Sequence, residues 1–306
     1  MFIIYINDLP FTLEYTESDL YADDTTLHLS SKSVLELNIC LNKDFKNILE
    51  WCHENNMIIN TKKSKCMLVG SDRKLSNSNN QLCVFTENNY FLESVECEKL
   101  LGIYIDKTLS WTSQIDKICD TISSRIYLLN RLKQYLPLKG LILFYNNYIL
   151  SVIDYCCTVW GLTSNSNLER IHKLQKRAAR VILNVYFDFP SKLMFKKLEW
   201  MTIFTRVKYF QAVLMYKCMN GQAPEYLSEK FISCKDVYNY SLRSASSGCL
   251  HIIRPNSQFL KRTFKYSGLI VWNSIPSHIK DINKIDNFKK KCSDYFLNLQ
   301  IEEVEA

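Results

Sequence analysis

The stretch TESDLYADDTTLHLS, residues 16–30, places two adjacent aspartates between two short segments of strand-like sequence. Residues 18–22 lead in and residues 25–29 lead out, which predicts a β-hairpin with Asp23 and Asp24 at its tip. Because neighbouring side chains of an extended strand point to opposite faces, the two carboxylates share one edge only if a tight turn joins the strands. Such a pair is typical either of a solvent-exposed turn or of a site for a divalent cation such as Mg²⁺.

The composition is that of a folded globular protein. With 306 residues, 47% apolar and 23% charged, and with seven Gly and six Pro, the chain has room for one large or two moderate domains and few flexible linkers. Its twelve cysteines form no C-x-x-C pair, and the opening run MFIIYI is too short for a membrane span and lacks the basic flank of a secretory signal. We therefore expect an intracellular protein, in the nucleus or cytoplasm, neither secreted nor bound to a membrane.

Charge is distributed unevenly along the chain. The net charge is +7, but residues 1–100 hold 9 Lys/Arg against 15 Asp/Glu, whereas residues 101–306 hold 29 against 16. The acidic first third indicates cation binding and the basic remainder indicates a polyanionic partner, although solvated surface faces account for either on their own.

Hydrophobic spacing predicts strands and one clear helix in residues 1–110 and mostly helices beyond them. The first helix begins at Ser33, which together with Glu36 has the spacing of a capping box. Strands are expected at 57–60, at 66–69 and within 82–106, with a polar loop at 71–80. Later helices are expected from Thr112 to Pro137, over 141–160, over 168–183 and from Thr202 to Asn220.

The segment LERIHKLQKRAARVIL, residues 168–183, carries an apolar stripe on one face and cations on another. The cations fall at steps of three, four and three residues: Arg170, Lys173, Arg177 and Arg180. Either a solubilising surface or a row of phosphate contacts explains this basic ridge.

Several motifs, in order along the chain, resemble the reverse transcriptases of animal non-LTR retrotransposons of the jockey-like kind. YADDTTL at 21–27 is similar to the polymerase active-site box. The other polymerase motifs are YINDLP, WCHENNMIINTKKSKCML, EKLLGIYID and LSWTSQID. The resemblance continues into the carboxy-terminal regions of these elements with YCCTVWG, LQKRAARVI, MYKCMNGQAPEYL and VWNSIPSHIK. It therefore covers nearly the whole chain.

The resemblance implies an α+β fold. Residues 1–110 would form an incomplete polymerase palm, an antiparallel sheet with a packed helix and no fingers. Residues 111–137 would form a thumb helix, and residues 138–306 a mostly helical carboxy-terminal region.

The resemblance also implies a chemistry, RNA-templated DNA synthesis by two metal ions. Mg²⁺, or Mn²⁺ in its place, would be the cofactor, and an RNA template and a DNA primer the partners. Asp23 and Asp24 would be the catalytic metal ligands, and Lys63 would assist the leaving pyrophosphate unless it is a surface lysine. The residues implied in primer or template binding are Tyr21, Ala22, Leu101 and Gly102, to which the basic ridge adds Arg177 and Arg180.

The chain departs from the family pattern upstream of YINDLP. A further catalytic aspartate, the fingers and the nucleotide-binding residues lie there in the family, and this sequence contains none of them. Asp8 and Asp19 are the nearest other carboxylates, and their positions do not suit the hairpin tip. We therefore expect the isolated chain to be inactive, unless an upstream polypeptide supplies the missing parts. The alternatives are a non-catalytic nucleic-acid-binding module and a truncated reading frame.

Overall fold

The computed structural model describes residues 2–77, 81–86, 91–234, 248–255 and 257–305. The chain divides into two units, Met1–Ser113 and Gln114–Ala306, which are called the N-terminal and the C-terminal unit. In the described residues, helices predominate and the strands are short.

The N-terminal unit mixes short strands with one long helix. Its helices are α1 (Phe2–Tyr5), a 3₁₀ turn (Leu9–Thr12), α2 (Val34–Glu54) and α3 (Asp72–Asn77). Its strands are β1 (Glu17–Tyr21), β2 (Asp24–His28), β3 (Lys65–Cys66), β4 (Glu93–Ser94), β5 (Cys97–Leu100) and β6 (Ile103–Asp106).

The described strands pair into three separate two-stranded sheets. β1 pairs with β2 and β5 with β6, both antiparallel, whereas β3 and β4 are parallel. The predicted strand at 57–60 is wrong: the segment has no regular structure, and the Met57 amide donates to the Cys52 carbonyl at 2.8 Å as the chain leaves α2. The strand predicted at 66–69 shrinks to Lys65–Cys66, and α3 occupies part of the predicted polar loop.

Helix α2 supports the hairpin of β1 and β2. Its apolar residues Ile48, Trp51 and Cys52 are buried in one cluster, against which Leu20 of β1 and Leu27 of β2 pack. The predicted helix is confirmed, but the capping box is wrong, because the Ser33 side chain makes no cap hydrogen bond and Glu36 accepts from the Ser31 hydroxyl instead.

The regular elements of the described C-terminal unit are helices, apart from an isolated antiparallel β-bridge between Ser233 and Leu250. Helix α4 (Thr112–Leu132) leads into it from the N-terminal unit, and the helices that follow are α5 (Leu138–Phe144), a π-helical segment (Tyr145–Leu150), α6 (Ser151–Asp154), α7 (Cys157–Trp160), α8 (Asn165–Leu183), α9 (Ser191–Leu198), α10 (Ile203–Met219), α11 (Glu225–Ser228), α12 (Gln258–Lys261), α13 (Phe264–Ser274), α14 (Ser277–Lys280) and α15 (Ile285–Glu305).

The core of the C-terminal unit forms around α10, which packs against α13 and α15. Tyr216 is fully buried, stacks on Phe288 with ring centroids 4.2 Å apart, and donates its hydroxyl to the Ile282 carbonyl at 2.7 Å. The hydrogen bond satisfies the one polar atom of a tyrosine ring that is otherwise surrounded by apolar side chains.

Two helix ends differ from prediction. Helix α4 ends at Leu132, and Pro137 occupies the N-cap position of α5 instead of stopping α4. The buried helix predicted over 141–160 breaks at Cys156, which has a left-handed φ of 50°. The Trp160 indole N–H donates to the Tyr155 carbonyl at 2.7 Å, so the break leaves this carbonyl satisfied.

No helix in the described ranges has both the length and the apolar character that a membrane crossing requires.

Candidate active site

The predicted hairpin is present, and its tip is a two-residue turn. The ladder runs from Glu17 opposite His28 to Tyr21 opposite Asp24, which leaves Ala22 and Asp23 as the turn. Ala22 has a left-handed φ of 53°, a conformation that allows a tight reversal. Asp23 therefore lies in the turn itself and Asp24 is the first residue of β2.

All four residues at the tip are exposed, with Tyr21 66% exposed. Neither the Asp23 nor the Asp24 carboxylate has a hydrogen-bond donor or an ion-pair partner within the described parts of the chain. Both carboxylates thus present their oxygens to solvent.

The donor set at the tip fits one particular mode of metal binding. Nowhere in the described residues do three or more His, Cys, Asp or Glu side chains form a group that could hold a metal ion. Mg²⁺ is commonly held by one or two carboxylates completed by water and substrate phosphates. Two carboxylates are the donor set of that mode, and the described residues add no further protein ligand to them.

The segment that enters the hairpin is fixed by Asp44 of α2. The Asp44 carboxylate is fully buried and accepts the backbone N–H groups of Glu14, Tyr15 and Thr16 at 3.0, 2.9 and 2.7 Å. It also accepts the Thr16 hydroxyl at 2.8 Å. Since Thr16 immediately precedes β1, these hydrogen bonds fix the position of the start of β1 relative to α2.

The ionisation of Asp44 follows from these contacts. Burial on its own raises the pKa of Asp44, but the hydrogen bonds that Glu14, Tyr15 and Thr16 donate to the carboxylate outweigh burial, so the pKa lies below its ordinary value. Sequence reasoning missed this residue. The signal was present, because a charged residue stands beside Leu41, Phe45 and Ile48 on the apolar stripe of the predicted helix.

The other carboxylates of the hairpin lie away from its tip. Asp19 pairs across the strands with Thr26, and its carboxylate lies 3.7 Å from Nδ1 of His28. Glu17 contacts Nε2 of the same ring at 3.2 Å. Asp8 occupies the N-cap position of the 3₁₀ turn. None of the three joins Asp23 and Asp24 in a shared site.

Lys63 lies on an exposed turn at 61–63, where its backbone N–H donates to the carbonyl and the side-chain oxygen of Asn60 at 3.0 and 3.2 Å. Its ammonium group forms no ion pair with Asp23 or Asp24. The neighbouring Lys65 is paired with Glu93. The structure thus places Lys63 on the surface of the same unit but does not bring it into contact with the tip.

Leu101 and Gly102 form the turn between β5 and β6, with φ values of 46° and 88°. Two consecutive positive φ values are those of a type I′ turn, which favours Asn or Gly at the first position. A leucine there costs about 1 kcal/mol in backbone strain. Backbone strain of this kind often occurs at functional sites.

Asp106, at the end of β6, organises the loop that follows. Its carboxylate accepts the backbone N–H groups of Thr108, Ser110 and Trp111 at 3.1, 3.0 and 2.7 Å. Burial raises the pKa of Asp106, but the hydrogen bonds to Thr108, Ser110 and Trp111 outweigh it, so the pKa is lowered. The sequence patterns did not single out this residue.

The basic ridge of α8 belongs to the C-terminal unit and is not uniform. Arg170 is paired with Asp116, Nη2 to Oδ1 at 2.5 Å, so it is engaged within the fold. Arg177 is exposed, and the guanidinium of the half-buried Arg180 lies 4.7 Å from the centre of the Phe187 ring. Arg177 and Arg180, the two ridge residues implied in primer or template binding, lie at the surface, one exposed and one half-buried.

No family model matches the chain, and no solved structure matches it significantly. Curated relatives do. The chain is 22% identical over 219 residues, 68% of its length and 23% of the relative, to the probable RNA-directed DNA polymerase from transposon X-element of Drosophila melanogaster. It is 24% identical over 192 residues, 60% of its length and 20% of the relative, to the RNA-directed DNA polymerase from mobile element jockey of the same fly.

A third relative is the probable RNA-directed DNA polymerase from transposon BS of Drosophila melanogaster, 23% identical over 66% of the chain and 23% of the relative. The chain is thus related to RNA-directed DNA polymerases, and it spans between a fifth and a quarter of the length of these three relatives. More narrowly, these relatives are polymerases of jockey-like non-LTR retrotransposons, so the resemblance carried by the motifs is confirmed.

Proposed function

We propose that this chain forms part of a reverse transcriptase, an RNA-directed DNA polymerase, of a jockey-like non-LTR retrotransposon. In this proposal residues 1–110 are an incomplete palm, residues 111–137 a thumb helix and residues 138–306 a helical carboxy-terminal region. The observation that carries the proposal is the hairpin tip, where two adjacent, exposed carboxylates lie at a two-residue turn and have no partner in the described residues.

Each residue of the tip has a role in this proposal. The carboxylates of Asp23 and Asp24 would hold Mg²⁺ against the phosphate of the reacting nucleotide, where the ion supplies Lewis-acid stabilisation of the transferred phosphoryl group. The exposed ring of Tyr21 and the small side chain of Ala22 would lie under the primer end. Asp44 acts through the backbone as a positioning residue, because it fixes the start of β1.

The primer and the leaving group would be handled by two other turns of the N-terminal unit. The type I′ turn at Leu101 and Gly102 would grip the primer, because glycine lets the backbone approach nucleic acid closely. Lys63 would neutralise the leaving pyrophosphate with its ammonium group.

The same chemistry implies that the chain by itself does not polymerise. Two divalent cations held close together repel each other, and carboxylates that bridge them normally offset this repulsion. Within the described residues, the tip offers two carboxylates and no third ligand. A further carboxylate would come from another polypeptide segment together with the RNA template and the DNA primer.

A primer-extension assay tests this part of the proposal. The purified chain is incubated with poly(rA) annealed to oligo(dT), dTTP and either Mg²⁺ or Mn²⁺, and we expect no extension of the primer. A complete reverse transcriptase in a parallel reaction serves as the positive control. DNA synthesis that is abolished by Asp23→Ala and retained by Asp19→Ala would contradict the proposal, because the tip would then be sufficient for catalysis.

A further inference from the structure

The C-terminal end of α8 carries an exposed aromatic pair that packing does not explain. Asn184 ends the helix with a left-handed φ of 53°, and the chain then passes through residues 185–189, here called the aromatic turn. Tyr186 is 88% exposed and Phe187 is 85% exposed. Single exposed apolar residues are common, but two adjacent, almost fully exposed aromatic rings indicate a contact surface.

Cations surround the aromatic turn. The Arg180 guanidinium lies over the Phe187 ring at 4.7 Å, in the geometry of a cation–π contact. Its Nε atom is buried and lacks a hydrogen-bond acceptor in the described residues. Lys133, just beyond α4, contacts the side-chain oxygen of Asn184, which brings a third cation to the same end of α8 as Arg177 and Arg180.

The region around the aromatic turn is strongly positively charged. Residues 170–197, which include the basic ridge, the aromatic turn and most of α9, contain eight Lys/Arg and a single acidic residue, Asp188. Another exposed aromatic in the same unit lacks this setting: Tyr226 is 68% exposed with Lys230 over its ring at 5.9 Å, but Glu225 and Glu229 flank it. The aromatic turn therefore favours a polyanion, and Tyr226 provides a natural control.

We propose that the aromatic turn, together with Arg177, Arg180 and Lys133, binds single-stranded nucleic acid. Tyr186 and Phe187 would stack on unpaired bases, and the three cations would contact phosphates. A duplex keeps the faces of its bases stacked within the helix, so it offers these rings little. An acidic peptide offers charge without flat apolar faces. The inference uses no metal chemistry of the hairpin and goes beyond the polymerase proposal.

Binding is measured by fluorescence anisotropy of the full chain with a labelled single-stranded RNA and with a duplex of the same sequence. We expect tighter binding of the single strand, with an affinity that falls steeply as salt rises. The double substitution Tyr186→Ser with Phe187→Ser should weaken single-strand binding about tenfold or more and leave duplex binding unchanged. Both side chains are exposed, so the variant should fold.

Matched variants make the outcome decisive. Tyr226→Ser should bind as the parent chain does, and Arg177→Glu with Arg180→Glu should lower both the affinity and its salt dependence. Equal loss of duplex and single-strand binding in the Tyr186→Ser, Phe187→Ser chain would overturn base stacking. Equal competition by polyglutamate or by phosphatidylserine vesicles would overturn nucleic acid as the partner. Because the substitutions leave the hairpin residues unchanged, a failure here is distinct from a failure of primer extension.

Discussion

Replacing Asp44 with alanine is expected to destabilise the β1–β2 hairpin and the segment that enters it. The substitution leaves the backbone N–H groups of Glu14, Tyr15 and Thr16, and the buried Thr16 hydroxyl, without their acceptor. A hydrogen bond to a charged group contributes about 1.5–3 kcal/mol, and Asp44→Ala removes four such bonds at once. Hydrogen exchange measured by mass spectrometry on peptides covering β1 and β2 should show the loss of protection. Exchange is preferable to a global unfolding curve because the chain has two units.

The control for Asp44 is Glu50→Ala in the same helix. Glu50 is exposed and, within the described residues, pairs only with Lys46 at 3.5 Å, so its loss should change stability by less than about 0.5 kcal/mol. Because the folded-state pKa of Asp44 is lowered, its contribution is fully present above the ordinary carboxyl pKa. It is lost as pH falls through the lower folded value. Protection in Asp44→Ala equal to that of the parent chain would refute this role of Asp44.

Replacing Arg206 with alanine should destabilise the C-terminal unit by about 3 kcal/mol, the lower end of the range for broken buried ion pairs. Arg206 of α10 and Asp154 of α6 form a two-pronged pair, with Nη2 to Oδ2 at 2.5 Å, and their side chains are only 19% and 25% exposed. Without Arg206, the Asp154 carboxylate stays mostly buried and has no cation beside it. Hydrogen exchange of α6 and α10 measures the effect.

A double substitution distinguishes the destabilisation caused by an unpaired buried charge from the net contribution of the ion pair to stability. Asp154→Leu with Arg206→Met removes both charges and should recover most of the stability lost in Arg206→Ala, since an apolar pair of similar volume often replaces a buried ion pair at little cost. Arg170→Ala breaks an ion pair whose side chains are 43% and 52% exposed and should cost less than about 1 kcal/mol. Equal losses in Arg170→Ala and Arg206→Ala would contradict this account.

The elements that were predicted correctly are those whose buried faces follow from the spacing of apolar residues along the sequence. The hairpin tip, α2 and the apolar stripe of α4 follow directly from alternation or from helical spacing. Helix α10 has its start and stop signals in the sequence as well, with Thr202 at its N-cap and Asn220 at its end.

The elements that periodicity missed depend on contacts between residues distant in sequence. Asp44 and Thr16, for example, are 28 positions apart. The strand predicted at 57–60 failed because residues of that run, Met57 and Ile59, pack as irregular chain against the α2 cluster instead of pairing. Tertiary burial overrode local β-propensity there.

The candidate site was predicted mainly from motif order. Composition and spacing left the two aspartates open between a solvent-exposed turn and a metal site, and YADDTTL in its context of further motifs selected the second. The sequence did not predict how Asp44 fixes the hairpin. Its hydrogen bonds require three consecutive backbone N–H groups that point towards one helix. No local pattern encodes that arrangement.

Metal binding at the tip is tested most directly by Mn²⁺ electron paramagnetic resonance with a primer–template duplex. We expect the chain and the duplex together to bind more Mn²⁺ than the sum of each alone, and Asp23→Asn with Asp24→Asn to abolish the excess. The control, Glu17→Gln with Asp19→Asn, removes the two hairpin carboxylates that contact His28 and should retain it. An excess that persists unchanged without Asp23 and Asp24 would contradict the assignment of the hairpin tip as a metal site.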